Sequence, residues 1–343
     1  MKRMEMVLSG ETVLTGITTS GTPHIGNYVG AIRPSVTASE AVNAKFFFFL
    51  ADYHSLIKSR DPAQMAISTL EIASSWLAAG LDPDRVVLYR QSDIPEILEL
   101  TWLLTCLTSK GLMNRAHAYK AAVAANESSR GKDPEKGITM GLFCYPILMA
   151  ADILMFNANK VPVGSDQKQH VEMARDIAGS FNHQFGQTFI LPEPFISDNT
   201  SMLPGLDGRK MSKSYGNTIS LFTPEKNLRK SIMKIKTNSQ EPGEPKDPEG
   251  SSLFSIYRAF ATGSETEAMR QRYVDGIGWG EMKDCVFRYL NDHLKVAREE
   301  YNRLVEAPDY VEDILRKGAD KARAVSGPFM DQIRSNVGLK ALS

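Results

Sequence analysis

The chain has 343 residues, 42% apolar and 23% charged, enough for one large or two medium domains with ordinary globular cores. Its 40 basic residues equal its 40 acidic ones, so no global field draws it to nucleic acid or membrane, and any polyanion site must be local. Cys106, Cys144 and Cys285 form no CxxC pair, which argues against a zinc or iron–sulfur centre and fits a reducing compartment. The opening MKRMEMVLSGE lacks an apolar core of signal-peptide length, and the longest apolar run, MGLFCYPILMAADILMF, is broken by a proline and an aspartate. The expectation is a soluble cytoplasmic protein.

In chain order, TVLTGI reads as a buried strand, followed by an amphipathic segment through HIGNYVGAIRPSV. KFFFFLADYHSLI opens as an apolar strand and ends in polar residues. Pro62 to Ala79 is helical by periodicity, with Gly80 as its stop. DRVVLYRQS gives the next strand and PEILELTWLLTCLTSKG the next helix. An apolar helix near 140–156, a short strand KVPVG and a helix from Asp166 to Phe185 complete the series. This alternation predicts an α/β fold, a Rossmann-like parallel sheet with helices on both faces. Ligands of such sheets bind beyond the carboxyl ends of the strands.

After about residue 222 the texture changes. TPEKNLRKSIMKIKTNS, SLFSIYRAFAT, ETEAMRQRYVD, Glu281 to Arg303 and a last stretch from Asp309 are all helical, with one Pro/Gly/acidic loop, SQEPGEPKDPEGSS. Three regions are expected: a nucleotide-binding domain over 1–221, an all-helical C-terminal domain over 222–305, and a helical segment over 306–343 that packs back towards the first. Trp76, Trp102 and Trp279 fall in helical periodicity and are expected in the core.

Two stretches carry chemistry. TGITTSGTPHIGN follows a strand and opens a helix, where free backbone N–H groups and the helix dipole meet phosphate. Its glycines lie five apart, so it is not a dinucleotide fingerprint. LPGLDGRKMSKSYGN places Lys210 and Lys213 on a glycine-flanked loop, suited either to a triphosphate or merely to solvent. In YPILMAADILMF, Asp152 is the only charge, and Tyr145, Met149 and Asp152 share one helical face at i, i+4 and i+7. Asp152 is either a buried acceptor for a ligand N–H or a helix cap or ion-pair partner. KNLRKSIMKIK is a run of basic residues without an acid, either a solvated face or a contact for a nucleic-acid backbone.

A histidine motif at the first βα turn, with KMSKS after the sheet, resembles the class I aminoacyl-tRNA synthetases. GNYVGAIR, YPILMAADIL and VPVGSDQKQHVEMARDIA extend the resemblance to the tryptophanyl-tRNA synthetases across nearly the whole chain. The resemblance implies activation of tryptophan by ATP with Mg²⁺, transfer to tRNA(Trp), and a homodimer; within the class, a tyrosine-specific synthetase is the alternative, and outside it a tRNA-independent adenylate-forming nucleotidyltransferase. It implies catalytic roles for His24, Asn27, Lys210 and Lys213. ATP contacts would come from Thr18, Thr19, Ser20, Gly26, Asn27, Gly164, Ser165, Asp166, Lys210, Met211, Ser212, Lys213 and Ser214. Tryptophan contacts would come from Asp152, Tyr145, Met149, Gln167 and His54, and no protein metal ligand is expected. An indole has one polar handle, its N–H, so a buried acceptor would reject phenylalanine on the order of 10⁴-fold. Three departures stand out: Thr18 and Thr19 replace a common Gln-Pro pair, Ser165 replaces a common acid, and HAYKAAVA lacks a lysine for which Lys120 would substitute.

Overall fold

The computed structural model describes residues 10–41, 43–128, 133–164, 167–195 and 203–339. Its centre is a five-stranded, all-parallel sheet of β1 (Thr12–Thr18), β2 (Lys45–Ala51), β3 (Val87–Arg90), β4 (Lys160–Pro162) and β5 (Glu193–Phe195), in the order β3-β2-β1-β4-β5. The sequence reading did not find β5; three residues that include a proline carry no periodicity, and pairing with β4 alone makes them a strand.

Strand β2 shows why the sheet is buried on both faces. Phe46, Phe48 and Leu50 enter one apolar core, while Phe47, Phe49 and Ala51 enter the other. Such a continuous apolar run fits only a sheet covered on both sides. The second core is built with α3 (Pro95–Leu107), α5 (Met140–Met155) and α6 (Lys168–Phe185). The first is built with α1 (Arg33–Ser39) and α2 (Pro62–Ala78), whose Trp76 meets Phe48 edge-on at 4.7 Å. Its apolar side chains run without a break into α7 (Glu225–Met233), α8 (Ser252–Phe260), α9 (Gly263–Val274) and α10 (Trp279–Val305). The helical half is therefore welded to the sheet through Leu228, Phe254, Met282 and Leu290. Between α3 and α5 lies α4 (His117–Glu127), which buries no residue fully; its Tyr119 meets Phe143 edge-on at 5.0 Å.

Two further expectations need correction. Trp102 is not a core residue: it is 67% exposed, four residues after Leu98 on α3, which is 43% exposed. The segment after His24 is not a simple amphipathic helix. One α-turn (Ile25–Asn27) passes into a π-turn (Tyr28–Ile32) before α1, and the wider turn brings Tyr28, Val29 and Ile32 into the core together.

The last helix, α11 (Pro308–Asn336), lies along β3, the strand at one edge of the sheet. Arg90 of β3 donates to both oxygens of Glu312 at 2.9 and 2.6 Å, and Arg334 Nε donates to Glu99 at 2.7 Å. The approach is closest at Gly318, where a Cβ would stand 1.7 Å from the carbonyl oxygen of Leu88. Only hydrogen fits there, because the obstacle is backbone. Gly318→Ala should therefore cost about 1–3 kcal/mol through displacement of α11. Gly179→Ala on α6, where nothing lies within 4 Å, should gain up to about 1 kcal/mol. Urea midpoints of the two variants against the parent chain check both signs.

Candidate active site

The strand order reverses at β1, so the crevice beyond the carboxyl ends of β1 and β4 is the expected ligand position. His24 caps the turn that follows β1. Its Nδ1 accepts from the Asn27 N–H at 3.2 Å, and the Asn27 side chain accepts from the His24 N–H at 3.1 Å, a reciprocal capping box. Because Nδ1 is an acceptor, the neutral ring carries its proton on Nε2. Burial, helped by the positive charge of Lys213, holds the ring at a pKa of about 4, so it is neutral near pH 7. Gly26 is required here, since a Cβ would lie 2.9 Å from His24 Nδ1 and 3.5 Å from Met211 Sδ.

The KMSKS segment docks against this corner. Ile25 N–H donates to Ile219 O at 2.9 Å and Leu221 N–H to Pro23 O at 3.0 Å, so the two motifs share a short antiparallel contact. Lys213 Nζ donates to the carbonyls of Ser20 (3.0 Å) and Gly21 (2.7 Å). Burial of the ammonium pulls its pKa below the usual lysine value, against the opposing pull of Glu71. Helix α2 steadies the same turn: Ser68 Oγ accepts from Gly21 N–H at 2.9 Å, and Glu71 accepts from the Thr22 hydroxyl at 2.7 Å. Within the loop, buried Asn217 takes the Ser212 N–H at 2.8 Å and donates to Asp207 (2.7 Å) and to Lys210 O (3.1 Å). Lys210 and Ser214 are exposed, Ser212 is half-buried and paired to Ser214 at 2.8 Å, and Met211 is buried under Gly26.

A second cluster lies where β2, β3 and α5 converge. Asp152 is completely buried, yet it is a carboxylate with named donors: His54 Nε2 lies 2.9 Å from Oδ2, and Gln91 Nε2 lies 2.8 Å from Oδ1 and 3.0 Å from Oδ2. Burial pushes its pKa up, and the His54 and Gln91 bonds oppose that rise. Beside it Tyr145 Oη bonds His170 Nε2 at 2.8 Å, and His170 Nδ1 bonds Gln167 Oε1 at 2.9 Å. The His54 and Tyr145 rings meet edge-on at 6.1 Å, which joins the two chains of polar groups.

The structure thus assembles His24, Gly26, Asn27, Met211 and Lys213 in one corner, and Asp152, His54, Tyr145 and Gln167 in the other; Met149 is half-buried one turn from Asp152. Thr19 donates to Ser55 Oγ at 3.0 Å, and Ser55 passes a bond on to Ala51 O at 3.0 Å. The Thr19 hydroxyl therefore faces inward, while Thr18 and Ser20 sit 3.4 Å apart at the surface. Gly164 accepts the Gln167 N–H at 2.9 Å. Ser165 and Asp166 lie outside the described residues. Lys120 on α4 is exposed. Sequence reasoning missed Gln91, Asn217 and Ser55. Gln91 had one usable signal, an amide directly after an apolar strand of a parallel sheet.

A family model described as tRNA synthetases class I (W and Y) matches residues 10–295. The tryptophan–tRNA ligase of Pseudomonas aeruginosa is 58% identical over 333 residues, covering 96% of this chain and 74% of that protein. That of Neisseria meningitidis is 56% identical over 335 residues, 98% of this chain and 100% of the other. Among solved structures, tryptophanyl-tRNA synthetase from Campylobacter jejuni, complexed with ADP and tryptophan, superposes with a TM-score of 0.85 at 42% identity, covering 96% of this chain and 100% of that one.

The lowered pKa of His24 has a sign that can be measured. The folded value of about 4 lies below the ordinary 6.5, so the unfolded chain takes up this proton first. The associated stability is present above pH 6.5 and is lost as pH falls through about 4. Relative to His24→Asn, which keeps a capping side chain, the parent chain should lose on the order of 3 kcal/mol of advantage across that window. Urea denaturation of both proteins at several pH values reads it.

Proposed function

The chain belongs to the class I tRNA synthetases of the tryptophan and tyrosine group, and on that premise we propose that it is a tryptophan–tRNA ligase. It activates tryptophan with ATP and passes the aminoacyl group to tRNA(Trp). Tryptophan rather than tyrosine is the substrate, since relatives at 56–58% identity are tryptophan–tRNA ligases. Membership in the family also sets aside the tRNA-independent nucleotidyltransferase. The observation that carries the substrate reading is the fully buried Asp152 at the carboxyl edge of the sheet.

In the first step a tryptophan carboxylate oxygen bonds to the α-phosphorus of ATP while the bond to the bridging oxygen breaks and pyrophosphate leaves. A ribose hydroxyl of tRNA then attacks the tryptophanyl carbonyl carbon, and AMP departs with the bonding pair. The displacement at phosphorus calls for positioning and charge stabilisation more than for a proton shuttle. The Nε2–H of neutral His24 supplies a fixed donor for a phosphate oxygen. Lys213, held beside the same turn, and Lys210 at the loop tip supply positive charge as pyrophosphate forms. Thr18, Thr19, Ser20, Gly26, Gly164 and the 211–214 backbone line the path of ATP in this reading, with Ser165 and Asp166 assigned there by resemblance. Among the described residues no group of three or more His, Cys, Asp or Glu side chains could hold a metal, so Mg²⁺ would arrive on the phosphates of ATP. It would supply neutralising charge there.

The indole N–H would meet Asp152, with Met149 and Tyr145 as walls and Gln167 towards the ammonium group. The helices of 222–305 would read the anticodon, with 1–221 as the catalytic unit and 306–343 as its strap. In support, Lys226, Lys230, Lys234 and Lys236 are exposed around α7, whereas Arg229 is tied to Asp284 at 2.8 Å. The exposed Leu98 and Trp102 of α3 support a homodimer, as such an apolar pair suits a subunit contact. Among the described residues no helix is long and apolar enough to cross a membrane, and charging of tRNA would place the protein in the cytoplasm.

Tryptophan, and not tyrosine, should drive exchange of radioactive pyrophosphate into ATP. Asp152→Ala should raise the KM for tryptophan on the order of 100-fold or more while the KM for ATP moves only a few-fold. Equal effects on both substrates would remove Asp152 from the indole pocket.

A further inference from the structure

A carboxylate offers about four lone-pair directions, two on each oxygen. At Asp152 three are addressed: Oδ2 receives His54 Nε2 and Gln91 Nε2, and Oδ1 receives Gln91 Nε2. One direction, on Oδ1, remains. The orientation of the Gln91 amide is not open to reversal, because its Oε1 accepts the Tyr53 N–H at 3.1 Å. Its nitrogen must therefore face Asp152. Tyr53 belongs to the same short turn as His54, so one buried amide holds both the carboxylate and the turn that carries the second donor.

We propose that Gln91 is a specificity-determining positioning residue, which aims a donor at the Asp152 carboxyl and leaves Oδ1 as the acceptor for the N–H of an indole substrate. The inference rests on the tryptophan reading above and adds to it the group that makes the acceptor work. Burial favours the neutral acid at Asp152, which would offer a proton in place of an acceptor; donors aimed at the charged form oppose this. The charged and titratable groups that face Asp152 are His54 and Asp52 from the turn after β2, and Tyr89 from β3. Tyr89 Oη has no hydrogen-bond partner among the described residues and is held well above the usual tyrosine range, so it stays neutral.

Two substitutions separate this role from simple packing, because they predict opposite pH slopes. Gln91→Leu removes the donor, so Asp152 protonates more readily and the KM for tryptophan should rise as pH falls from 8 to 6. Gln91→Glu is nearly isosteric and sets a second carboxyl against the first. At pH 6 a shared proton substitutes for the amide donor, whereas at pH 8 both groups tend to ionise and repel. The KM for tryptophan should then rise with pH, at least tenfold over the parent enzyme at pH 8. Dividing each value by that of the parent enzyme at the same pH removes the pH dependence common to all three proteins. The KM for ATP should stay within about threefold throughout, and the preference for tryptophan over phenylalanine in kcat/KM should fall at least tenfold in both variants. Slopes of the same sign, or equal changes for tryptophan and ATP, would reduce Gln91 to a packing residue. Failure of the parent enzyme to use tryptophan would instead overturn the underlying reading.

Discussion

A carboxylate with no exposed surface is the constraint around which this molecule is arranged. Burying a lone charge costs far more than one hydrogen bond returns, so donors must be delivered to it by the fold. Asp152 lies on α5, His54 just after β2 and Gln91 just after β3, 98 and 61 residues away from it in sequence. The parallel sheet, whose strands end at one common edge, brings these three together. The shift of Phe side chains of β2 into two opposite cores is what holds that edge in place. Packing and polar chemistry are thus one problem, solved at the same row of strand ends.

The opposite corner obeys a different logic. There the groups are backbone amides, one neutral histidine and a lysine held by two backbone carbonyls. Precision comes from short mutual bonds: the His24–Asn27 box, the contact of 25 with 219, and Asn217 inside its own loop. The tautomer of His24 follows from the box rather than from any charged neighbour. Gly26 makes this possible by leaving space for the ring of His24, two residues before it. Two clusters of unlike physics are therefore set side by side, one buried around a carboxyl group, the other built from two loops far apart in sequence.

Much of this was legible in the chain itself. Alternating apolar runs gave the parallel sheet, and HIGN, KMSKS and the aspartate of YPILMAADIL pointed to the two corners of the candidate site. What was not legible depended on tertiary partners. Strand β5 exists because β4 lies beside it. Trp102 has the spacing of a core residue and the exposure of a contact residue, a difference that a linear pattern cannot express. Gln91 and Asn217 are single amides whose importance lies wholly in what they touch. The inward turn of Thr19 towards Ser55, in the turn that bears His54, is likewise visible only in the folded chain.

The strap formed by α11 bears on how the protein is made. Residues 88 and 318 are in backbone contact, yet more than two hundred residues separate them. A nascent chain emerging from the ribosome would display β3 as an open edge, with unpaired peptide groups, until its final helix had been synthesised. Such long-range closure is slow relative to local helix formation. The sheet must therefore wait for Pro308–Asn336 before this edge is sealed, and a product terminated ahead of that helix would carry an adhesive strand despite an intact set of motifs.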